Sequence, residues 1–312
     1  VINMRLDDEQ ESKIIMLARV TFRVILCAIL SVPVLAAGQG RLTVYAVNYP
    51  LQYFAQRIAG EHAEVSFPAP AGEDPAFWLP GVEIIAAYQQ ADLILLNGAN
   101  YAKWVDRVSL PRRKQVNTSA AFREHYIHVP ADKTHSHGPG GEHSHAGTAF
   151  TTWLDFNQAA EQARAIAGAM IRRRPELEEV FVRNFTALEN DLLALDKQIQ
   201  SILADKNDLP LVASHPVYQY FQRRYAINLQ SVMWEPDEIT GEAQWSGLEQ
   251  ILKNHPASWM IWESEPHPQS VKRLRGMGVE SIVFSPAANQ PQAGDFLTVM
   301  RQNAERLQQV FK

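Results

Sequence analysis

The chain has 312 residues, 46% of them hydrophobic and 20% charged, enough for two ordinary domains with buried cores and too apolar for a disordered polymer. Lysine and arginine number 29 against 34 aspartates and glutamates, a net charge of −5 that lacks the basic surplus nucleic-acid binding demands. Cys27 is the only cysteine, so disulfides within the chain, iron–sulfur clusters and cysteine-built zinc sites are excluded, and any metal site must use histidine and carboxylate.

Residues 1–37 read as an N-terminal extension and signal peptide. Met16 suits a start codon, Arg19 and Arg23 form a basic region, and 24–35 is an apolar core of signal-peptide length. Val34-Leu35-Ala36 offers a small-x-small cleavage site, which predicts a mature start near Ala37 or Gly38. The run is short for a transmembrane helix, and no later stretch reaches about 18 apolar residues. The expectation is an exported, periplasmic or otherwise extracytoplasmic protein whose mature part does not span the membrane.

Apolar strand-like runs then alternate with helical stretches. Strands are expected at 42–47, 63–67 and 92–96, with helices at 51–60, 81–90 and 100–107. The rhythm returns with strands at 209–213, 228–232, 259–262 and 280–284, and helices at 216–225, 247–254, 268–277 and 294–311. This predicts an α/β fold of two lobes, each with a mostly parallel sheet flanked by helices. The N-terminal lobe spans 38–156, linking helices occupy 157–208, and the C-terminal lobe spans 209–312. One long helix over 175–204 carries Phe181, Phe185, Leu188, Leu192, Leu195, Ile199 and Ile202 as a single apolar stripe. At 1.5 Å per residue it would run about 45 Å, a stiff backbone joining both lobes. A coiled-coil dimer seam is the other use of such a stripe, but a strut within a monomer is expected.

Segment 130–148 is rich in glycine and proline and reads as a mobile surface loop in the first lobe. It carries His135, His137, His143 and His145, two copies of His-Ser-His. Imidazole is a common ligand for zinc, copper and nickel, so these four suit metal collection without strong selectivity. His215, in LVASHPVYQYF, follows a strand and precedes a helix, where side chains enter the crevice of an α/β lobe. A histidine hydrogen-bonded inside the fold is the other role open to it.

The order of these features resembles the substrate-binding proteins of zinc and manganese ABC transporters, the ZnuA-like cluster A-I family. PAGEDPAFWLP at 70–80, Trp153-Leu154-Asp155, ASHPVYQYF at 213–221, MIWESEPHP at 260–268 and FSPAAN at 284–289 follow the family's order over nearly the whole mature chain. The resemblance implies a clam of two lobes on a rigid helical spine that hands an ion to a membrane permease. It also implies four ligand positions, of which only His215 keeps its ligand. Ala76, Thr151 and Ser285 replace the others. One imidazole cannot hold zinc, which wants about four ligands. Either the cleft is rebuilt from Glu73, Asp74, Glu263 and Glu265, or its site is gone. A rebuilt site would be oxygen-rich, suited to zinc and also to manganese or iron(II). Other roles remain for these carboxylates: a solvated, helix-capping turn for Glu73 and Asp74, and a salt bridge to Lys272 or Arg273 for Glu263. Trp78, Trp153, Trp234 and Trp262 flank the same segments and would exclude water or simply pack.

The expected function is an extracytoplasmic solute-binding protein that captures a divalent metal, zinc foremost, for an ABC permease with its separate ATPase. A metal buffer or chaperone that kept the fold but binds through the histidine loop is the alternative. An enzyme is not expected, since P-loop, Gly-x-Ser-x-Gly and His-Glu-x-x-His motifs are missing from the sequence.

Overall fold

In Leu42–Ala46 (β1) buried Leu42, Val44 and Ala46 alternate with half-buried Thr43 and Tyr45, the period of a strand facing two layers. Asn48 then caps the first helix, Tyr49–Ala59 (α1), its side chain accepting from Leu51 N. Gly60 ends that helix at φ 56°, a backbone conformation that other residues adopt only with strain. The computed structural model describes residues 40–129, 134–136, 142–144, 147–204, 206 and 208–312. The expected signal peptide lies outside them.

Ala63–Ser66 (β2), Val82–Gln90 (α2), Leu93–Leu96 (β3) and Gln115–Asn117 (β4) complete the first unit. Its sheet is parallel in the order β2-β1-β3-β4. The fourth strand was not expected, because three residues are too few for a visible alternation. The helix expected at 100–107 shrinks to a 3-10 turn at Lys103–Arg107. Gly98, Ala99 and Asn100 stand at φ 76°, 48° and 58°, and a left-handed run cannot open a right-handed helix.

His128–Val129 (β5) pairs antiparallel with Gly147–Thr148 (β8), and Thr134–Ser136 (β6) with Glu142–Ser144 (β7). The described part of the histidine-rich segment is therefore strand where a mobile loop was expected, consistent with the two-residue period of His-Ser-His. The register sets His135 opposite His143. His137 and His145 lie outside the described residues.

Two helices follow. Phe156–Arg173 (α3) is capped by Asp155, which accepts from Asn157 N and Gln158 N. The stretch expected as one helix over 175–204 opens with a 3-10 turn at Pro175–Leu177 and continues as Glu178–Leu203 (α4), 26 residues or about 39 Å. Its stripe from Phe181 to Ile199 is buried within the chain, where α4 meets α1, α3 and Phe296–Val310 (α8). The dimer-seam use of that stripe is thereby excluded. Buried Asp196 on α4 accepts from Arg224 Nε at 2.9 Å and Nη2 at 2.6 Å, and from Tyr225 Oη at 2.9 Å. Both partners belong to Gln219–Tyr225 (α5), so the strut is pinned to the second lobe by a paired, buried charge.

The second sheet repeats the first. Leu211–Ala213 (β9), Leu229–Ser231 (β10), Trp259–Trp262 (β11) and Glu280–Val283 (β12) lie parallel in the order β10-β9-β11-β12. Glu242–Asn254 (α6) and Pro268–Gly276 (α7) cover it together with α5 and α8. In both sheets the order reverses between the first and third strands, where an open α/β sheet leaves a crevice at the carboxyl ends.

Candidate metal centre

The carboxyl ends of the second sheet carry the ionisable side chains. Ser214 and His215 follow β9, Glu235 follows β10 by way of Trp234, and Glu263 follows β11 directly. Ser214 N donates to Ile261 O at 2.8 Å, and Trp234 N donates to Ser214 O at 2.8 Å. These bonds extend the sheet one residue past its strands and aim the next side chains into a common space. His215 is buried, with Nδ1 at 3.5 Å from Glu235 Oε1 and 3.9 Å from Glu263 Oε1. The three residues offer ligand atoms that all lie within 4.8 Å of one another.

Their electrostatics are those of a crowded anionic pocket. Burial, then the charges of Glu235 and Asp74, push the Glu263 carboxyl up to about 8. Glu235 rises to about 7 through burial and the neighbouring charges of Glu238, Asp237 and Asp74. Asp74 stands in an exposed loop of the first lobe, yet desolvation of its carboxyl pushes it up to about 6 against a lowering bond from Ala76 N at 2.9 Å. Three carboxyl groups thus act on one another beside the imidazole of His215, an arrangement that a divalent cation relieves.

Trp234 and Trp262 immediately precede Glu235 and Glu263; both are buried, with ring centroids 6.0 Å apart, and form an apolar floor. Trp153 Nε1 donates to Pro286 O at 2.8 Å, tying the two lobes together behind the site. Such surroundings weaken dielectric screening and strengthen attraction between ion and carboxylate.

The candidates from sequence separate clearly. His215 and Glu263 come together, and Asp74 is the first-lobe carboxylate whose charge reaches the cluster. Glu73 and Glu265 are exposed and lie outside the group of three. Arg273, one potential partner of Glu263, instead pairs with Glu242 at 2.5 and 2.9 Å. Ala76 is fully buried and its carbonyl accepts from Lys103 N at 3.2 Å; Thr151 donates to Val217 O; Ser285 Oγ accepts from Ala287 N at 3.2 Å. Glu235 was missed by sequence reasoning. Its signal was a repeat: Trp234-Glu235 shortly after β10 and Trp262-Glu263 at the end of β11 each put a glutamate after a tryptophan.

Several known proteins resemble this chain. Zinc-binding protein AdcA of Streptococcus pyogenes is 27% identical over 290 residues, covering 86% of this chain and 56% of the relative. The chain thus spans about half the length of AdcA. The metal ABC transporter substrate-binding lipoprotein SsaB of Streptococcus sanguinis is 24% identical over 87% of this chain and 90% of its own length. Zn(II)-bound AdcA from Streptococcus pneumoniae superposes with a TM-score of 0.73 at 20% identity, over 87% of this chain and 58% of that one. FpvC from Pseudomonas aeruginosa, solved with Mn2+, gives 0.70 at 20% identity, over 87% of this chain and 98% of that one. These structures establish the shared fold. Residues 44–310 match the family of the zinc-uptake complex component A, periplasmic, and the chain belongs to that family.

Proposed function

We propose that this protein is an extracytoplasmic solute-binding component that captures a divalent metal ion, zinc foremost, and delivers it to an ABC permease driven by a separate ATPase. His215, Glu235 and Glu263 supply three ligands from the second lobe, and Asp74 adds one from the first. The carrying observation is the convergence of these three side chains, within 4.8 Å of one another, at the ends of three parallel strands. The names of AdcA and SsaB support zinc and metal transport. One imidazole with carboxylates suits zinc and also accepts manganese or iron(II). The lobes over 38–156 and 209–312 act as jaws on the spine of 157–208. Among the described residues no helix is long and apolar enough to cross a membrane.

The cluster favours a carrier over a buffer that binds through the histidine-rich segment, because a built cleft site serves capture and release. A chelator-competition zinc titration tests this. His215→Ala should weaken tight binding by about 100-fold or more, since loss of mere supporting contacts to a metal already costs about 10–100-fold. Deleting residues 133–147 should leave one tight ion per chain. Unchanged affinity in His215→Ala, or loss of tight binding on deletion, would move the site out of the cleft.

A further inference from the structure

Asp74, whose charge acts on Glu235 and Glu263 though it lies outside their close group, is carried by a different kind of support. His215, Glu235 and Glu263 follow strands of one sheet, whereas Asp74 sits in the irregular, largely exposed segment between β2 and α2. Within that segment Glu73 N donates to Pro70 O at 3.3 Å, and Trp78 N donates to Asp74 O at 2.9 Å. These bonds shape the turn but do not join it to the other lobe.

Asn289 does. From the second lobe its Nδ2 donates to Pro70 O at 2.7 Å and to Glu73 O at 2.8 Å, while its Oδ1 accepts from Gln290 N at 2.6 Å. The Glu73 carbonyl belongs to the peptide unit that leads directly into Asp74, so the second bond grips the main chain one residue from the carboxylate. The mount of Asn289 is firm. Asn303 holds Ser285 at both backbone groups, with Oδ1 accepting from Ser285 N at 3.1 Å and Nδ2 donating to Ser285 O at 2.7 Å. Tyr49 N donates to Ala288 O at 3.1 Å, and Trp153 Nε1 reaches Pro286 O. A side-chain amide with both ends engaged on such a base is a two-point clamp between lobes.

We infer that Asn289 is a positioning residue that latches the 70–74 turn so that Asp74 stays within reach of the ion held by His215, Glu235 and Glu263, and that opening this latch is a step in ion release. The inference rests on the cleft reading above. Without the ion, the Asp74 carboxylate is repelled by Glu235 and Glu263, and two neutral hydrogen bonds oppose that repulsion. With the ion, Asp74 and Asn289 pull the turn the same way. Losing the clamp therefore speeds departure of the ion more than it disturbs the fold.

The test is stopped-flow zinc dissociation into excess chelator with the purified protein loaded with zinc alone. Asn289→Ala should raise the dissociation rate by roughly 3- to 10-fold, the scale of two partly exposed hydrogen bonds. In an Asp74→Asn background the same change should add nothing, because the latch then holds no charged ligand. Melting of the metal-free Asn289→Ala protein within a few degrees of the parent reports an intact fold; if it falls further, Asn289→Ser, which keeps one donor, carries the test with an intermediate rate. An unchanged dissociation rate, or an equal acceleration with and without the Asp74 carboxylate, overturns the latch. Retention of slow zinc release by His215→Ala instead overturns the cleft site itself, so the two failures are told apart.

Discussion

The two crevices share a topology and differ in what fills them. At the carboxyl ends of the first sheet, Asn48, Asn97, Thr118 and Gln162 are buried and reciprocally bonded. Gln162 Nε2 donates to Asn97 Oδ1 at 3.1 Å and to Thr118 Oγ1 at 3.0 Å, Asn48 Nδ2 donates to Asn97 Oδ1 at 3.3 Å, and Asn97 Nδ2 donates to Phe150 O at 2.8 Å. This neutral network satisfies itself beside a cavity lined by Val47, Asn97, Gly98, Tyr101 and Asn117. At the same place in the second sheet stand His215, Glu235 and Glu263, whose two carboxylates repel each other when ionised. The parallel sheet supplies a crevice either way. Side-chain chemistry decides whether it is lined by neutral amides or by groups that suit a cation.

The contrast breaks most visibly at the second crevice. Glu235→Gln and Glu263→Gln should each weaken zinc binding by about 10- to 100-fold, on the scale of supporting metal contacts, as read by chelator competition. The same substitutions should stabilise the metal-free protein at pH 8, because they remove a buried charge that folding disfavours. Each kcal/mol relieved raises the melting temperature by about 2–4 °C.

The pH response sharpens the comparison further. Glu263 rises from 4.5 to about 8 and Glu235 to about 7, so the folded protein binds these protons more tightly than the unfolded chain. Their favourable contribution is complete below the unfolded value near 4.5 and is lost as pH climbs to about 8. Metal-free protein should therefore lose stability from these groups between about pH 5 and 8. Zinc needs the deprotonated forms, so its stabilising effect and its affinity should grow over the same interval. Melting curves at about pH 5.5, 7 and 8, with and without zinc, should show opposite trends; parallel trends would remove the cluster from metal binding.

The smallest effect on the ion is expected from the first crevice. Asn97→Ala should cost about 1–3 kcal/mol of stability by leaving buried partners unsatisfied, with zinc affinity unchanged. A drop in affinity equal to that of Glu263→Gln would mean that the amide network also shapes the ion site.

Much of this was legible in the chain. Alternation of apolar runs with helical stretches identified the α/β class and most element positions, because strand and helix periods are local properties of the sequence. His215 and Glu263 could be singled out since each follows a strand, and Asp74 because it neighbours a departure from the family pattern. The left-handed turn at 98–100, which cut short an expected helix, was signalled by Asn97-Gly98 and Asn100, but the helical pattern read from Asn100 outweighed it.

What the sequence by itself determined is the inventory: two sheets' worth of short strands, a single cysteine, Cys27, ahead of the first strand, and histidines and carboxylates near strand ends. Only the tertiary structure decided which of these meet. Parallel pairing put β10 and β11 on either side of β9, and so carried Glu235 and Glu263 to His215 from 20 and 48 positions further along the sequence, respectively. Glu73 and Glu265, as acidic and nearly adjacent in sequence, were left at the surface. The physical reason is that sequence proximity sets only local backbone geometry, whereas the direction in which a side chain leaves a strand end, and the lobe it faces, depend on long-range pairing that no local period encodes.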